Sequence, residues 1–205
     1  LSNDIRIKKE YLKQIYSTYI EKDIKDIGRI KEVIKFNMLL RLLANQSGNL
    51  LNVNEVANTI NVTNKTVQEW LFLLENTFVI KLVSPFSTNI RWELTKMPKI
   101  FFIDNGIRNF IAESFEITGN SFENSFFNLV NNAYRNQKIN FYRMQDKKEI
   151  DFILDGEPVE MKLAYNGKNL VALDYFYEKY FKKWTIVTLS KKENQRYEVR
   201  YPWEV

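Results

Sequence analysis

The chain contains no cysteine. Disulfides, thiol catalysis and cysteine-ligated zinc are excluded, and a reducing, cytoplasmic setting is the natural expectation. It also contains no histidine, which removes His-dependent triads, HExxH metalloproteases and histidine-based nucleases. Any catalysis must use carboxylates, Lys, Tyr, Ser or Thr, and a metal would be a hard one such as magnesium. Glycine and proline are scarce, at 6 and 4 residues of 205. With no low-complexity tract and no internal repeat, the composition argues against disorder. No apolar run is long enough to span a bilayer, so no membrane association is expected. The opening stretch, LSNDIRIKKEYLKQ, has neither an initiator Met nor the apolar core of a secretory signal, and it reads as an internal boundary. No GxxxxGK[ST] occurs. Gly167-Lys168-Asn169 is not a Walker motif, so ATP binding by this chain is not expected.

What is present is core-forming material: 45% hydrophobic and 15% aromatic residues, enough for one large or two small domains. The net charge of +5 is compatible with nucleic acid without requiring it. Leu12, Ile15, Tyr16, Tyr19 and Ile20 recur at helical spacing within residues 8–24, and a second, buried helix is expected from about Ile30 to Ala44, with Gly28 at the break. Asn52 followed by Glu55 resembles a capping box for a short helix, about Val53 to Thr59. Thr63 should cap a longer one, Asn64 to Asn76, whose inner face is Val67, Trp70, Leu71 and Leu74. A short helix, a tight turn and a second helix are helix-turn-helix grammar. FVIKLVSPF and NIRWELTK then read as a two-stranded wing around Ser87-Thr88-Asn89. On this reading Asn64, Lys65 and Gln68 form the outer face offered to DNA, and Arg91 in the wing meets phosphate. Glu69 and Glu75 on the same helix favour instead a protein-contact or packing role.

The remainder reads as αβββαββ. Ser121 to Asn136 is a helix with Phe122, Phe126, Leu129, Val130 and Ala133 inward. Strands are expected at Ile139–Met144, Glu149–Leu154 and Pro158–Leu163, a helix at Leu170–Phe181, and strands near Trp184–Leu189 and Arg196–Tyr201. A further short strand, Lys99–Ile103, precedes a helix that begins at Asp104-Asn105-Gly106. The fold class is therefore α+β: a helical, winged-helix part at about 1–95, with the winged helix-turn-helix at about 50–95, followed by a mixed-sheet part at about 96–205.

Alternation places Glu160 and Lys162 on one strand face, about 7 Å apart. Asp151 is expected on the neighbouring strand, sharing a face with Ile153, and Glu123 in the first turn of the preceding helix. Carboxylates gathered in one place resist ionising together and need a cation. A hard divalent ion held by Asp151 and Glu160, with Lys162 beside it, suits phosphodiester hydrolysis. The bland reading is an ion-pair network, with Asp151 on Lys162 and Glu160 on Arg143.

Asp151, eight intervening residues, then Glu160-Met161-Lys162, inside αβββαβ, resembles the PD-(D/E)XK nuclease superfamily, the restriction-endonuclease-like fold. Glu123 matches the acidic residue that many members carry on the first helix. The position before Asp151 is Ile150, where the motif has proline. The order YLKQIYSTYIEKDI, NVTNKTVQEWLFLLENTFVIKLVSPF, MPKIFFIDNGI, SFENSF, EIDFIL and VEMKL looks like the C-terminal region of a widespread group of prokaryotic AAA-type ATPases. That group carries a C-terminal domain of unknown function with this nuclease-like module, and its ATPase core is absent from this chain. The resemblance implies magnesium, with manganese as substitute, on Asp151 and Glu160. Glu123 would assist and Lys162 would act on water or phosphate. DNA and the N-terminal ATPase core would be partners. The competing expectation is a catalytically inactive interaction or regulatory module.

Overall fold

The computed structural model describes residues 4–87, 96–133, 138–144, 146, 148–168, 170–180, 184–190, 192 and 197–205. It is a mixed α+β structure that divides into two compact units: Leu1–Leu82 with Ile100–Glu116, and Val83–Lys99 with Ile117–Val205.

The first unit opens with α1 (Ile5–Ile15), capped by Asp4, whose carboxylate accepts from the Arg6 backbone N–H. The helix then widens into a π-helical stretch, Tyr16–Ile24, and closes with one turn, α2 (Lys25–Ile27). The widening moves the buried face. Ile20 and Ile24 are sealed in the core, with Leu12 and Tyr16 packed against it, while Ile15 and Tyr19, expected inward, are exposed. Apolar residues four apart, at 12, 16, 20 and 24, drift around a regular α-helix. Looser i→i+5 winding keeps them in line.

Helix α3 (Val33–Asn45) buries Phe36, Leu39, Leu40, Leu43 and Ala44, the i, i+3, i+4, i+7, i+8 stripe of a core helix. Asn52 caps α4 (Val53–Ile60) by accepting from Asn54 and Glu55 N–H, and α4 ends in a left-handed Asn61, φ 55°. Thr63 caps α5 (Asn64–Asn76), which turns Val67, Trp70, Leu71 and Leu74 inward. Trp70 meets Phe36 edge-on, ring centroids 5.4 Å apart. Strands β1 (Ile80–Val83) and β2 (Lys99–Phe102) form a two-stranded sheet. The expected second wing strand and Arg91 lie outside the described residues. Asp104 caps α6 (Asn105–Ile111), and buried Arg108 donates from Nε to the Ala44 carbonyl at 3.1 Å.

The second unit begins its α/β part with α7 (Gly119–Ala133). Phe122, Phe126, Phe127 and Val130 are buried, whereas Leu129 and Ala133, expected inward, face out. A five-stranded mixed sheet follows in spatial order β3 (Ile139–Arg143), β4 (Glu149–Leu154), β5 (Glu157–Ala164), β6 (Thr185–Ser190), β7 (Glu198–Arg200). The first three strands are antiparallel, and β5–β6–β7 are parallel. Helix α8 (Val171–Tyr180) makes the crossover that a parallel β5–β6 pair requires. Asp155 (φ 49°) and Gly156 (φ 86°) form the two-residue β4–β5 turn, where both positions need positive φ.

One irregularity positions the site. Asn140 pairs with Ile153 and Tyr142 with Ile150, so two residues of β4, Asp151 and Phe152, stand opposite the single Phe141. This β-bulge breaks the alternation that the sequence predicts. Ile150 and Ile153 join the same cluster, with Leu173 and Phe176, while Phe152 packs on Phe126 of α7. Asp151 does not share the face of Ile153.

Candidate acidic site

Three segments of the second unit supply the pocket. Helix α7 carries Glu123 near its start, where the Thr118 and Ser121 hydroxyls exchange hydrogen bonds with each other's backbone N–H. The bulged end of β4 carries Glu149 and Asp151. The middle of β5 carries Glu160 and Lys162. A fourth contributor is Lys99, the first residue of β2, which counts with this unit.

Lys99 is 1% exposed. Its Nζ lies 3.0 Å from Glu149 Oε1, 3.4 Å from Asp151 Oδ1 and 3.8 Å from Glu123 Oε2. It also stands over the Phe141 ring, 5.6 Å from the centroid. Asp151 turns its other oxygen to the Met161 backbone N–H at 2.9 Å. Glu160 returns the arrangement: Oε2 accepts from Asp151 N–H at 3.3 Å and Oε1 from Lys162 Nζ at 2.5 Å. Each acid is thus tied to the other's strand. Arg143 closes the outer side, with Nη1 2.9 Å from Glu149 Oε2.

The structure therefore brings Asp151, Glu160, Lys162 and Glu123 to one pocket. The expected pairing is different, however. Asp151 is on Lys99 rather than Lys162, and Glu160 is on Lys162 rather than Arg143. The sequence reading missed Lys99 and Glu149. The one available signal was a lysine at the head of the apolar run KIFF, where a strand going into a core gains nothing from an ammonium.

Among the described residues four carboxylates face three cations here, Lys99, Lys162 and Arg143. Burial first, and the crowding of carboxylates second, raise the proton affinity of the pocket. Burial, then the charge of Asp151, pushes the Glu123 carboxyl up to about 8, with Lys99 pulling against them. Burial and Asp151 likewise push Glu160 up to about 7, opposed by Lys162. For Lys99, burial pulls the ammonium down. Asp151, Glu123 and Glu149 outweigh that and hold it above the ordinary lysine value. Lys162 is raised by the same contest between burial and its acidic neighbours.

A divalent ion does not fit this arrangement. Both oxygens of Asp151 and both of Glu160 already accept from the chain, and an ammonium stands among Asp151, Glu123 and Glu149. Among the described residues no group of three or more acids is placed to hold a metal ion.

In the first unit, Asn64, Lys65 and Gln68 are all exposed on α5. Asn64 Nδ2 donates to Asn54 Oδ1, and Lys65 lies 3.9 Å from Glu69, with both side chains largely in solvent. Phe72, one turn beyond Gln68, is 71% exposed. Among the described residues no helix is long and apolar enough to cross a membrane.

Helix-rich and sheet-containing units joined in this order define a two-part α+β protein with a buried, ion-paired acidic pocket. Residues 1–117 match the family described as Domain of unknown function (DUF8612), and the chain belongs to that family. Residues 118–204 match a second description, Domain of unknown function (DUF4143). An uncharacterised protein of Haemophilus influenzae is 27% identical over 73% of this chain and 38% of its own length. An uncharacterised protein of Methanocaldococcus jannaschii is 24% identical over 78% of this chain and 37% of its own length. One of Mycobacterium tuberculosis is 25% identical over 44% of this chain and 21% of its own. The chain thus spans less than half the length of these relatives. No solved structure matches it.

Proposed function

We propose that the chain is a non-catalytic regulatory module of a longer AAA-type ATPase protein. It comprises a helix-turn-helix unit and a restriction-endonuclease-like unit whose acidic pocket is closed by the chain's own cations. The observation that carries this reading is the position of Lys99. A magnesium-dependent nuclease needs free carboxylate oxygens around an ion that can also reach water and phosphate. Here those oxygens are committed to a buried ammonium and to backbone N–H groups. Lys162, the residue that the PD-(D/E)XK resemblance assigns to water or phosphate, is committed to Glu160. The nuclease-like ancestry explains why Asp151, Glu160, Lys162 and Glu123 meet at all. The length of the relatives and the order of the resembling segments support a larger parent protein with an ATPase core.

The test is direct. Supercoiled plasmid, single-stranded DNA and RNA are incubated with the purified chain and magnesium or manganese. No products are expected above those of an Asp151→Asn control. Metal-dependent cleavage that Asp151→Asn and Glu160→Gln both remove would overturn the reading and restore the nuclease.

A further inference from the structure

We propose that the first unit pairs with a second copy of this chain across a two-fold axis beside Phe78, the Phe78 ring of each copy filling the apolar crevice next to Phe78 on the other. No residue of the acidic pocket takes part, so this pairing stands apart from the proposed regulatory role.

Phe78 sits where stability alone would not put it. It follows α5 in the left-handed conformation, φ 56°, while the Val79 N–H reaches back to the Leu74 carbonyl at 2.9 Å. That helix ending favours glycine, because a side chain there crowds the backbone. Phe78 is also 75% exposed, so its ring recovers little by packing within the chain. Beside it lies a crevice of about 210 Å³, lined also by Ile15, Tyr19, Ile20, Val79 and Ile107. A cavity of about 150 Å³ accepts benzene, so this one has room for a phenylalanine ring. The Tyr19 hydroxyl donates to the Thr77 carbonyl, which ties the π-helical wall to the end of α5. A projecting ring and a ring-sized hollow on one surface are what an isologous interface needs, since each copy must supply both.

Area and charge point the same way. Along α1, Ile7, Tyr11 and Ile15 fall at i, i+4 and i+8 and, with Tyr19 beyond them, are each exposed by 40% or more. At about 200 Å² for a fully bared side chain of this size, these four and Phe78 leave on the order of 500 Å² in water. That is most of the roughly 800 Å² that each partner gives to a stable interface. Residues 5–15 carry Arg6, Lys8, Lys9 and Lys13 against the single acid Glu10, whereas residues 16–27 carry Glu21, Asp23 and Asp26 against Lys22 and Lys25. Antiparallel pairing about an axis near Ile15 sets the basic half of each helical segment against the acidic end of the other, and Tyr11 against Tyr19.

The experiment exploits the lack of native cysteine. Sedimentation velocity of wild type, Phe78→Gly and Ile15→Asp is combined with mild oxidation of Ile15→Cys and Ile34→Cys. Wild type should pass from one chain to two across the micromolar range. Phe78→Gly and Ile15→Asp should each weaken the dimer by about tenfold or more. Compared as monomers, Phe78→Gly should melt no lower than wild type, because glycine relieves the left-handed backbone. Ile15→Cys, near the axis, should cross-link to itself. Ile34→Cys, 78% exposed on α3 and outside the crevice, should not. Four results would overturn the pairing: a wild type that stays monomeric at high micromolar concentration, which would assign the crevice to another partner; a dimer that Phe78→Gly leaves intact; a Phe78→Gly monomer that melts lower than wild type, which would give Phe78 a role in the fold; or equal cross-linking at both cysteines. A dimer that cleaves DNA would defeat the proposed function and leave the pairing standing.

Discussion

The surplus carboxylate in the pocket predicts an unusual pH dependence, and the lack of histidine makes it readable. Between pH 5 and 8 most proteins titrate histidines, and this chain has none. Among the described residues, the side chains shifted into that window are Glu160, raised from 4.5 to about 7, and Glu123, raised from 4.5 to about 8. In the folded state these carboxyls keep a proton that the unfolded state has already lost. Folding therefore takes up protons across this window, and stability must fall as pH rises through it, levelling off above the folded values. Lys99 does not disturb the trend. Its raised value adds stability that is fully present below the ordinary lysine pKa of 10.5, so it is constant across the window.

Each pH unit of displacement is worth about 1.4 kcal/mol, which gives roughly 3 kcal/mol for Glu160 and roughly 5 kcal/mol for Glu123 taken singly. Both are less than a fifth exposed, so solvent screening trims these figures only in part. The two effects overlap, because the charge of Asp151 raises both carboxyls and Glu160 also acts on Glu123. The expected loss from pH 5 to pH 8 is therefore about 3–5 kcal/mol rather than the sum. The assay is hydrogen exchange of the core amides of β4, β5 and β6, corrected for intrinsic rates, which reports the second unit alone. The double variant Glu123→Gln/Glu160→Gln should flatten the profile. A wild-type profile that is flat or rising from pH 5 to 8 would show that the carboxylates are compensated more completely than the geometry implies.

Other expectations are simpler. If α5 meets DNA, binding should weaken steeply with salt, and Lys65→Ala should lower the slope of log affinity against log salt by about one. An unchanged slope in filter binding would assign that face to protein contact, which exposed Phe72 would also serve. Thr63→Ala and Asn52→Ala should each cost about 1 kcal/mol in urea unfolding followed by circular dichroism, because each removes an acceptor from a helix N-terminus. Calorimetry should detect no magnesium-dependent ATP binding, since no phosphate-cradling glycine loop exists.

Much of the fold was legible because its signals are local. Asn52, Thr63 and Asp104 cap the helices that follow them, and a cap is a contact between residues two or three apart. The Asp155-Gly156 turn announces the β4–β5 hairpin by its φ requirement alone. The π-helical stretch was not legible, because the spacing of Tyr16, Ile20 and Ile24 fits an α-helix nearly as well over two turns. The inward Phe127 and outward Leu129 of α7 were not legible either. Both are apolar, and the packing of α7 decides which of them is covered.

The pocket illustrates the harder limit. Asp151, Glu160 and Lys162 were visible as residues of one short hairpin and Glu123 as an acid on the preceding helix, yet Lys99 and Glu149 were not. Lys99 lies 52 positions before Asp151, and nothing in its neighbourhood marks it as more than a strand's first residue. The bulge was equally hidden. Strict alternation assigns Asp151 to the face of Ile153, and only the pairing of β4 with β3 shows two residues set against Phe141. That one extra residue matters for the chemistry. It lets Phe152 seal against Phe126 while Asp151 stays beside Glu123 and Lys99, so an apolar plug and a carboxylate share a side of the sheet that regular pleating would divide between them. In this unit a backbone irregularity sets the face that Asp151 takes, and a motif read by spacing alone carries the acids without the cation that answers them.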